Sequence, residues 1–217
     1  MYFNNLSWLF ERLYPDLIWR QTKTEKPSIA LTFDDGPIPK VTPFVLETLE
    51  KHNVKATFFM VGDNATRNPS LVQEIHAAGH AIGNHTQNHL NGWKTPDKAY
   101  LENIYKAEES ILNALAGKSL SLSKQGKKLF RPPYGLLKRA LIPQLTPDFD
   151  IIMWDVLPGD FNPLLPPKIC LKKAVKFSQD RSVLIFHDSV KAFPALESVL
   201  PEYLIRMKEK GFTFSQL

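Results

Sequence analysis

Two adjacent aspartates, Asp34 and Asp35, follow an apolar run in the segment Thr32-Phe33-Asp34-Asp35-Gly36-Pro37. Neighbouring carboxylates repel each other unless a cation or an arginine compensates; an Asp-Asp-Gly-Pro surface turn is the plainer alternative. A second cluster, Asn84-His85-Thr86-Gln87-Asn88-His89, carries two histidines four residues apart. That spacing puts both imidazoles on one side of a helical turn, where they suit a shared metal ion. Two imidazoles and one carboxylate make three protein ligands and leave a coordination position open, as in catalytic zinc sites. The same donor set serves non-haem iron oxygenases. Those usually carry the carboxylate beside one of the histidines, on antiparallel scaffolds, so hydrolysis is the favoured chemistry.

Three further clusters extend the pattern. In Arg131-Pro132-Pro133-Tyr134-Gly135 the arginine can hold a carboxylate through paired hydrogen bonds. The prolines stiffen the loop and leave the Tyr134 backbone N–H as a candidate oxyanion donor. The fourth cluster runs from Trp154 through Asp155 to Asp160 and Phe161, and the fifth is Phe186-His187-Asp188. His187 in isolation reads as a packed core histidine; as one of five clusters at equivalent strand ends it reads as catalytic. Trp93 and Trp154 can each offer an aromatic face to a ligand or pack as core or rim.

The elements that position these residues alternate between strand and helix from residue 28 onward. Strands are expected at 28–33, 56–61, 81–83, 128–130, 149–154, 182–186 and 212–214. Helices are expected after Thr42-Pro43, after Asn68-Pro69 and after Thr95-Pro96, each from a cap and first-turn proline. Others are expected at 136–145, 168–178 and 193–210, the last bent or divided by Pro201. This alternation predicts a mainly parallel sheet with right-handed crossovers. Every cluster falls just after a strand, and in a barrel those positions converge on one mouth. A closed or distorted α/β barrel is therefore favoured over an open sheet.

The chain has 217 residues, enough for one such domain, with 43% hydrophobic and 23% charged residues. The net charge of +5 is scattered, so no nucleic-acid partner is expected. The single cysteine, Cys170, excludes an intramolecular disulfide and reads as a buried core thiol. Residues 1–27 show neither a signal peptide nor a membrane span, which leads to the expectation of a cytoplasmic protein. Leu6, Leu9, Phe10, Leu13 and Leu17 recur at helical spacing. They predict a helix packed on the domain, with contact to a membrane surface as the alternative.

Taken together, Thr32-Phe33-Asp34-Asp35-Gly36-Pro37, His85 to His89, Arg131-Pro132-Pro133-Tyr134, Asp160 and Ile185-Phe186-His187 resemble, in order, the five motifs of polysaccharide deacetylases. This is carbohydrate esterase family 4, with the NodB homology domain. The resemblance covers residues 28–217 and leaves 1–27 as an N-terminal helical extension. It implies a distorted (β/α) barrel and a divalent metal, usually zinc, with cobalt, nickel or manganese as substitutes. By the same resemblance Asp35, His85 and His89 are the metal ligands, Asp34 the catalytic base and Arg131 its orienting partner. His187 becomes the general acid with Asp160 tuning it, and Tyr134 supplies the oxyanion donor. Phe161 stands where the family usually has tryptophan, and Ile185 where it usually has leucine. Both are expected to shape the acyl pocket, so acyl groups other than acetyl stay open. The implied activity is removal of an N-acetyl group from an amino sugar of a poly- or oligosaccharide or glycoconjugate. With no leader visible, a nucleotide- or lipid-linked sugar is expected over wall peptidoglycan. The rival expectations are a hydrolase of non-sugar amides or cyclic imides and a catalytically silent glycan-binding module.

Overall fold

Alternating apolar residues in the strands decide the architecture, because one face of each strand must pack on helices and the other on the barrel interior. The computed structural model describes residues 7–120 and 122–217; Leu6 lies outside them. Helix α1 (Ser7–Leu13) and strand β1 (Leu17–Ile18) precede the regular part. Then come β2 (Ser28–Asp34), α2 (Val41–Lys51), β3 (Thr57–Met60), α3 (Gly62–Arg67), α4 (Pro69–Ala77) and β4 (Ala81–Asn84). They are followed by α5 (Asp97–Ala114), β5 (Lys128–Phe130), α6 (Ile142–Leu145), β6 (Phe149–Ile152), α7 (Pro167–Phe177), β7 (Val183–His187), α8 (Phe193–Glu209) and β8 (Thr213–Ser215).

Among the described residues these strands form one parallel sheet in the order β1-β6-β5-β4-β3-β2-β7, with β8 added to β2. The ring closes only through isolated bridges, Val156 with Leu184 and Arg20 with Ser182. This weak seam is what distorts the barrel. In β2, Ile29, Leu31 and Phe33 join the large apolar cluster under the helices, while Ala30 belongs to a small interior cluster with Phe59, Ala81, Leu129, Ile152 and Val183.

The register brings the strand ends level. Asp34 pairs with His187 and with Phe59, Met60 with Asn84, Asn84 with Phe130, and Phe130 with Ile151. The residues just beyond those ends, Asp35, His85 and Arg131, therefore meet at one mouth.

Several local expectations are corrected. His85 and His89 do not lie on a helical turn; the chain after β4 is irregular, with positive φ at Thr86 (64°) and His89 (54°). Thr42 is not a helix cap but lies inside α2, whose N-cap is Lys40. Thr95 likewise does not cap α5, which is preceded by Pro96, and bonds Asn91 O instead. Residues 136–138 are not helical, and only a 3₁₀ turn (Arg139–Leu141) and the short α6 form there. Helix α3 was not foreseen, since its six residues show no apolar period. Pro201 sits inside α8 without dividing it. Leu17 belongs to strand β1, not to the N-terminal helix, so the segment before residue 28 adds a strand to the sheet. Helix α1 packs through Phe10, whose ring stacks on Trp19 with centroids 4.8 Å apart. No helix of the described residues is long and apolar enough to cross a membrane.

The barrel interior is narrow where it supports the mouth. A Cβ on Gly83 would stand 2.5 Å from the Phe59 ring and 3.1 Å from Leu129 Cβ, and the Phe59 ring lies 4.1 Å under the Arg131 guanidinium. Gly83→Ala should therefore lower stability by about 1–3 kcal/mol through overpacking. Urea unfolding should show this as a lower midpoint at unchanged slope.

Candidate active site

Arg131 enters the barrel from the end of β5 and is fully buried. Burial without partners would be prohibitive, and each of the three guanidinium nitrogens finds an acceptor. Nη1 donates to Asp34 Oδ1 and to Thr32 Oγ1, both at 2.7 Å; Nε donates to Ile152 O at 3.3 Å and Nη2 to Met153 O at 3.1 Å. Asp34, 4% exposed, thus has one carboxylate oxygen tied to Arg131. Its other oxygen, Oδ2, stands 3.9 Å from His85 Nε2.

Asp35 turns the opposite way because its backbone has left the strand, at φ 84°. Its Oδ1 lies 3.2 Å from His89 Nε2 and 3.8 Å from His85 Nε2. One ligand atom from each of the three residues lies within 4.8 Å of the others. Ligands 2.0–2.1 Å from a tetrahedral ion stand about 3.3 Å from one another, so the set fits a divalent cation after small adjustment. The chemistry of the donors agrees. His85 Nδ1 faces Arg131 O at 2.7 Å and so carries the hydrogen, leaving the Nε2 lone pair toward Asp35. Asp35 Oδ1 is itself buried and accepts no well-formed hydrogen bond. Lone pairs converging on one another call for a cation between them. His89 Nδ1 is met by the Tyr134 hydroxyl at 3.1 Å, an outer contact of the kind that orients metal-binding histidines.

Burial, aided by His89, pulls the His85 imidazole down to about 4 against the carboxylates of Asp34 and Asp35. The ring is neutral at pH 7, the form that ligates metal. Burial acts to raise Asp35, but the contact with His89 and the charges of His187, His85 and His89 outweigh it and hold the carboxyl well below its usual range.

His187 is the electrostatic counterpart of His85. Burial would lower it, yet the charge and hydrogen bond of Asp160, helped by Asp35 and Asp34, push it up to about 9. Asp160 grips the residue twice, with Oδ1 3.0 Å from Nδ1 and Oδ2 accepting the backbone N–H at 2.7 Å. Phe161 packs edge-on to the ring, centroids 4.9 Å apart. Asp155, the other carboxylate of that cluster, takes no part; it binds Val183 N and Ser182 Oγ beside the barrel seam.

A cavity of about 670 Å³ opens over these groups, bounded by Asp34, Asp35, His85, His89 and His187 and also by Tyr134, Trp154, Phe161 and Ile185. A shallower cleft of about 290 Å³, reached past Asp35 and His89, exposes Asp63, Asn64, Arg67 and Asn88. Trp93 is not among the cavity walls; it is 63% exposed, with its indole N–H on Leu137 O. Trp154 walls the cavity and also backs the Tyr134 loop, since a Cβ on Gly135 would meet its ring at 2.5 Å. Tyr134 is held at φ 61°, and its amide N–H finds no hydrogen-bond partner among the described residues.

The family profile described as polysaccharide deacetylase matches residues 21–146. A peptidoglycan-N-acetylglucosamine deacetylase of Bacillus cereus is 37% identical over 198 residues, covering 88% of this chain and 67% of that protein. The chain belongs to the polysaccharide deacetylase family. A second relative, the peptidoglycan-N-acetylglucosamine deacetylase PgdA of Listeria monocytogenes, is 32% identical over 89% of this chain, which spans only 38% of that longer protein. The crystal structure of Bc1960 peptidoglycan N-acetylglucosamine deacetylase, in complex with 4-naphthalen-1-yl-N-oxidanyl-benzamide, matches with a TM-score of 0.84 at 30% identity. That match covers 99% of this chain and 95% of the other. Within this polysaccharide deacetylase, Lys191 and Ser189 at the cavity and Arg67 in the adjoining cleft were not foreseen. They are ordinary surface residue types that no motif spacing marks. The Tyr134 hydroxyl, held against His89 Nδ1, is likewise marked by no spacing in the sequence.

Two measurements check this geometry. Tyr134→Phe should weaken divalent-metal binding by about 10–100-fold, read by chelator competition on the folded variant. In the chelator-treated protein, His187 should titrate near 9 by NMR, and Asp160→Asn should bring it down toward the ordinary 6.5. A folded-state pKa above the unfolded one stabilises fully below pH 6.5 and fades as pH rises through about 9. Asp160→Asn should accordingly lose most stability at neutral and acid pH.

Proposed function

We propose that this chain is a metal-dependent N-deacetylase that removes the acetyl group from an N-acetylglucosamine residue of a glycan. One observation carries the proposal: a base held by Arg131, a three-ligand cation cluster and a histidine raised to about 9 all face the same cavity. The names of the relatives point to a polymeric wall-type glycan, in preference to a nucleotide- or lipid-linked sugar.

Asp35, His85 and His89 would hold the ion, for which a nitrogen-nitrogen-oxygen donor set favours zinc. A divalent cation there supplies Lewis acidity toward the amide carbonyl and acidifies water. Asp34 is the base. With Oδ1 occupied by Arg131, its Oδ2 takes a proton from the water that attacks the amide carbon. The carbonyl oxygen gains negative charge, and the free Tyr134 N–H is the donor suited to it. His187 is the acid. Its Nδ1 is engaged by Asp160, so Nε2 gives its proton to the amine nitrogen as the C–N bond breaks. Acetate and a free amine result. Phe161 and Ile185 border the space for the acyl methyl, and Trp154 offers a ring to the sugar.

Acetate release from N-acetylglucosamine oligomers should stop on chelation and return with zinc. Asp34→Asn should keep its metal and lose about 10²–10⁴-fold in kcat. Full activity in that variant, or faster turnover of simple non-sugar amides, would overturn the assignment.

A further inference from the structure

The proposed base and one metal ligand both hang on a single short turn, and that turn has little reason to keep its shape alone. Asp35 sits at φ 84°, a region that non-glycine residues avoid. Relaxation of the turn would swing the Asp35 carboxylate away from His85 and His89. One side of the turn is fastened to the β3–α3 region, where Asn64 Nδ2 donates to Asp35 O at 2.7 Å and Val61 N–H to Gly36 O at 3.0 Å. Only carbonyls are held there. The Gly36 N–H instead points toward the end of β7.

There it meets Asp188, which is 1% exposed. Asp188 Oδ1 accepts the Gly36 N–H at 3.0 Å, and its Oδ2 accepts the Thr42 hydroxyl at 2.6 Å. Thr42 Oγ1 in turn accepts the Ile38 N–H at 2.8 Å, so the chain is held on both sides of Pro37. The Asp188 N–H closes the loop by donating to Asp34 O at 3.1 Å. The approach is so close that a Cβ on Gly36 would stand 1.9 Å from Asp188 Oδ2. Gly36 is thus demanded by the carboxylate that grips it. Asp188 also directly follows His187, so the same residue ties the strand bearing the acid to the turn bearing the base.

We propose that Asp188 is a positioning residue that clamps the Asp34-Asp35-Gly36 turn, aiming Asp35 at the two histidines while Asp34 faces Arg131. It touches no reacting atom. Without it the Gly36 N–H is buried and unsatisfied, the penalised state for a backbone donor, and the turn opens to recover a partner. The inference rests on the cluster being a metal site, and metal binding is therefore the quantity to measure.

The experiment uses the full chain and Zn²⁺, with affinity read by chelator competition and ligand geometry by the visible spectrum of the Co²⁺-loaded protein. Asp188→Ala should bind Zn²⁺ about 10–100-fold more weakly and shift the Co²⁺ bands, with its far-ultraviolet circular dichroism unchanged. Asp188→Asn, which can still accept from Gly36 and bond Thr42, should recover most of the affinity. Wild-type affinity in Asp188→Ala overturns the proposal, and so does an Asp188→Asn variant as weak as the alanine. If Asp188→Ala does not fold, Thr42→Val decides: a partial loss of affinity supports the clamp, and no loss overturns it. A wild-type chain that binds neither ion instead removes the metal reading of the site, which separates the two failures.

Discussion

The Arg131 guanidinium lies inside the barrel with no contact to solvent, and the geometry of the mouth follows from how it is neutralised. A buried cation needs a counter-charge and a full set of acceptors. Asp34 provides the charge; Thr32, Ile152 and Met153 provide the acceptors; the face of Phe59 covers the plane. The carbonyl of the same residue accepts from His85 Nδ1. One residue thus fixes the rotamer of a carboxylate through its side chain and the tautomer of an imidazole through its backbone. Removing one partner of a buried pair typically costs about 3–5 kcal/mol, so this arrangement is stiff. The deacetylase chemistry proposed above depends on that stiffness.

Around this anchor, two histidines have been driven in opposite directions. Desolvation is the largest influence on both His85 and His187 and lowers each. For His85, burial and the neighbouring His89 outweigh Asp34, Asp35 and the Arg131 carbonyl, and it falls to about 4. His187 has Asp160 against its ring and backbone and rises to about 9. Near neutral pH one ring is a lone-pair donor and the other a proton donor. One ring thus suits a metal ligand and the other an acid, and Asp160, which engages both the ring and the backbone of His187, accounts for most of the difference.

The weak seam between β6 and β7 has a chemical counterpart. The chain after β6 pairs with β7 at the isolated Val156–Leu184 bridge before running on to Asp160 and Phe161. Asp155 reinforces the seam by bonding Ser182 and Val183. The seam of the barrel and the Asp160–His187 contact thus lie on one stretch of chain.

Residue types and their order along the chain determined the donor set, the β–α alternation and the family. Asp34, Asp35, His85, Arg131 and His187 stood out as titratable residues directly after apolar runs and His89 by its spacing from His85, whereas Asp160 was marked only by the family resemblance, Asp155 lying nearer that strand. The buried run from Ser28 to Phe33 marked β2 in the same local way. Only the tertiary structure decided how the donors meet. The two histidines converge through left-handed residues in an irregular loop, since His85 is bound to Arg131 O and His89 to Tyr134, contacts made 45 or more residues apart. Thr42, which looked like a helix cap, proved to be a hydrogen-bond partner of Asp188, 146 residues away. Trp93, close to His89 in sequence, lies off the cavity. Local patterns record local forces such as burial period and turn propensity. Which oxygen faces which nitrogen is set by packing between strands distant in sequence, and no local pattern encodes it.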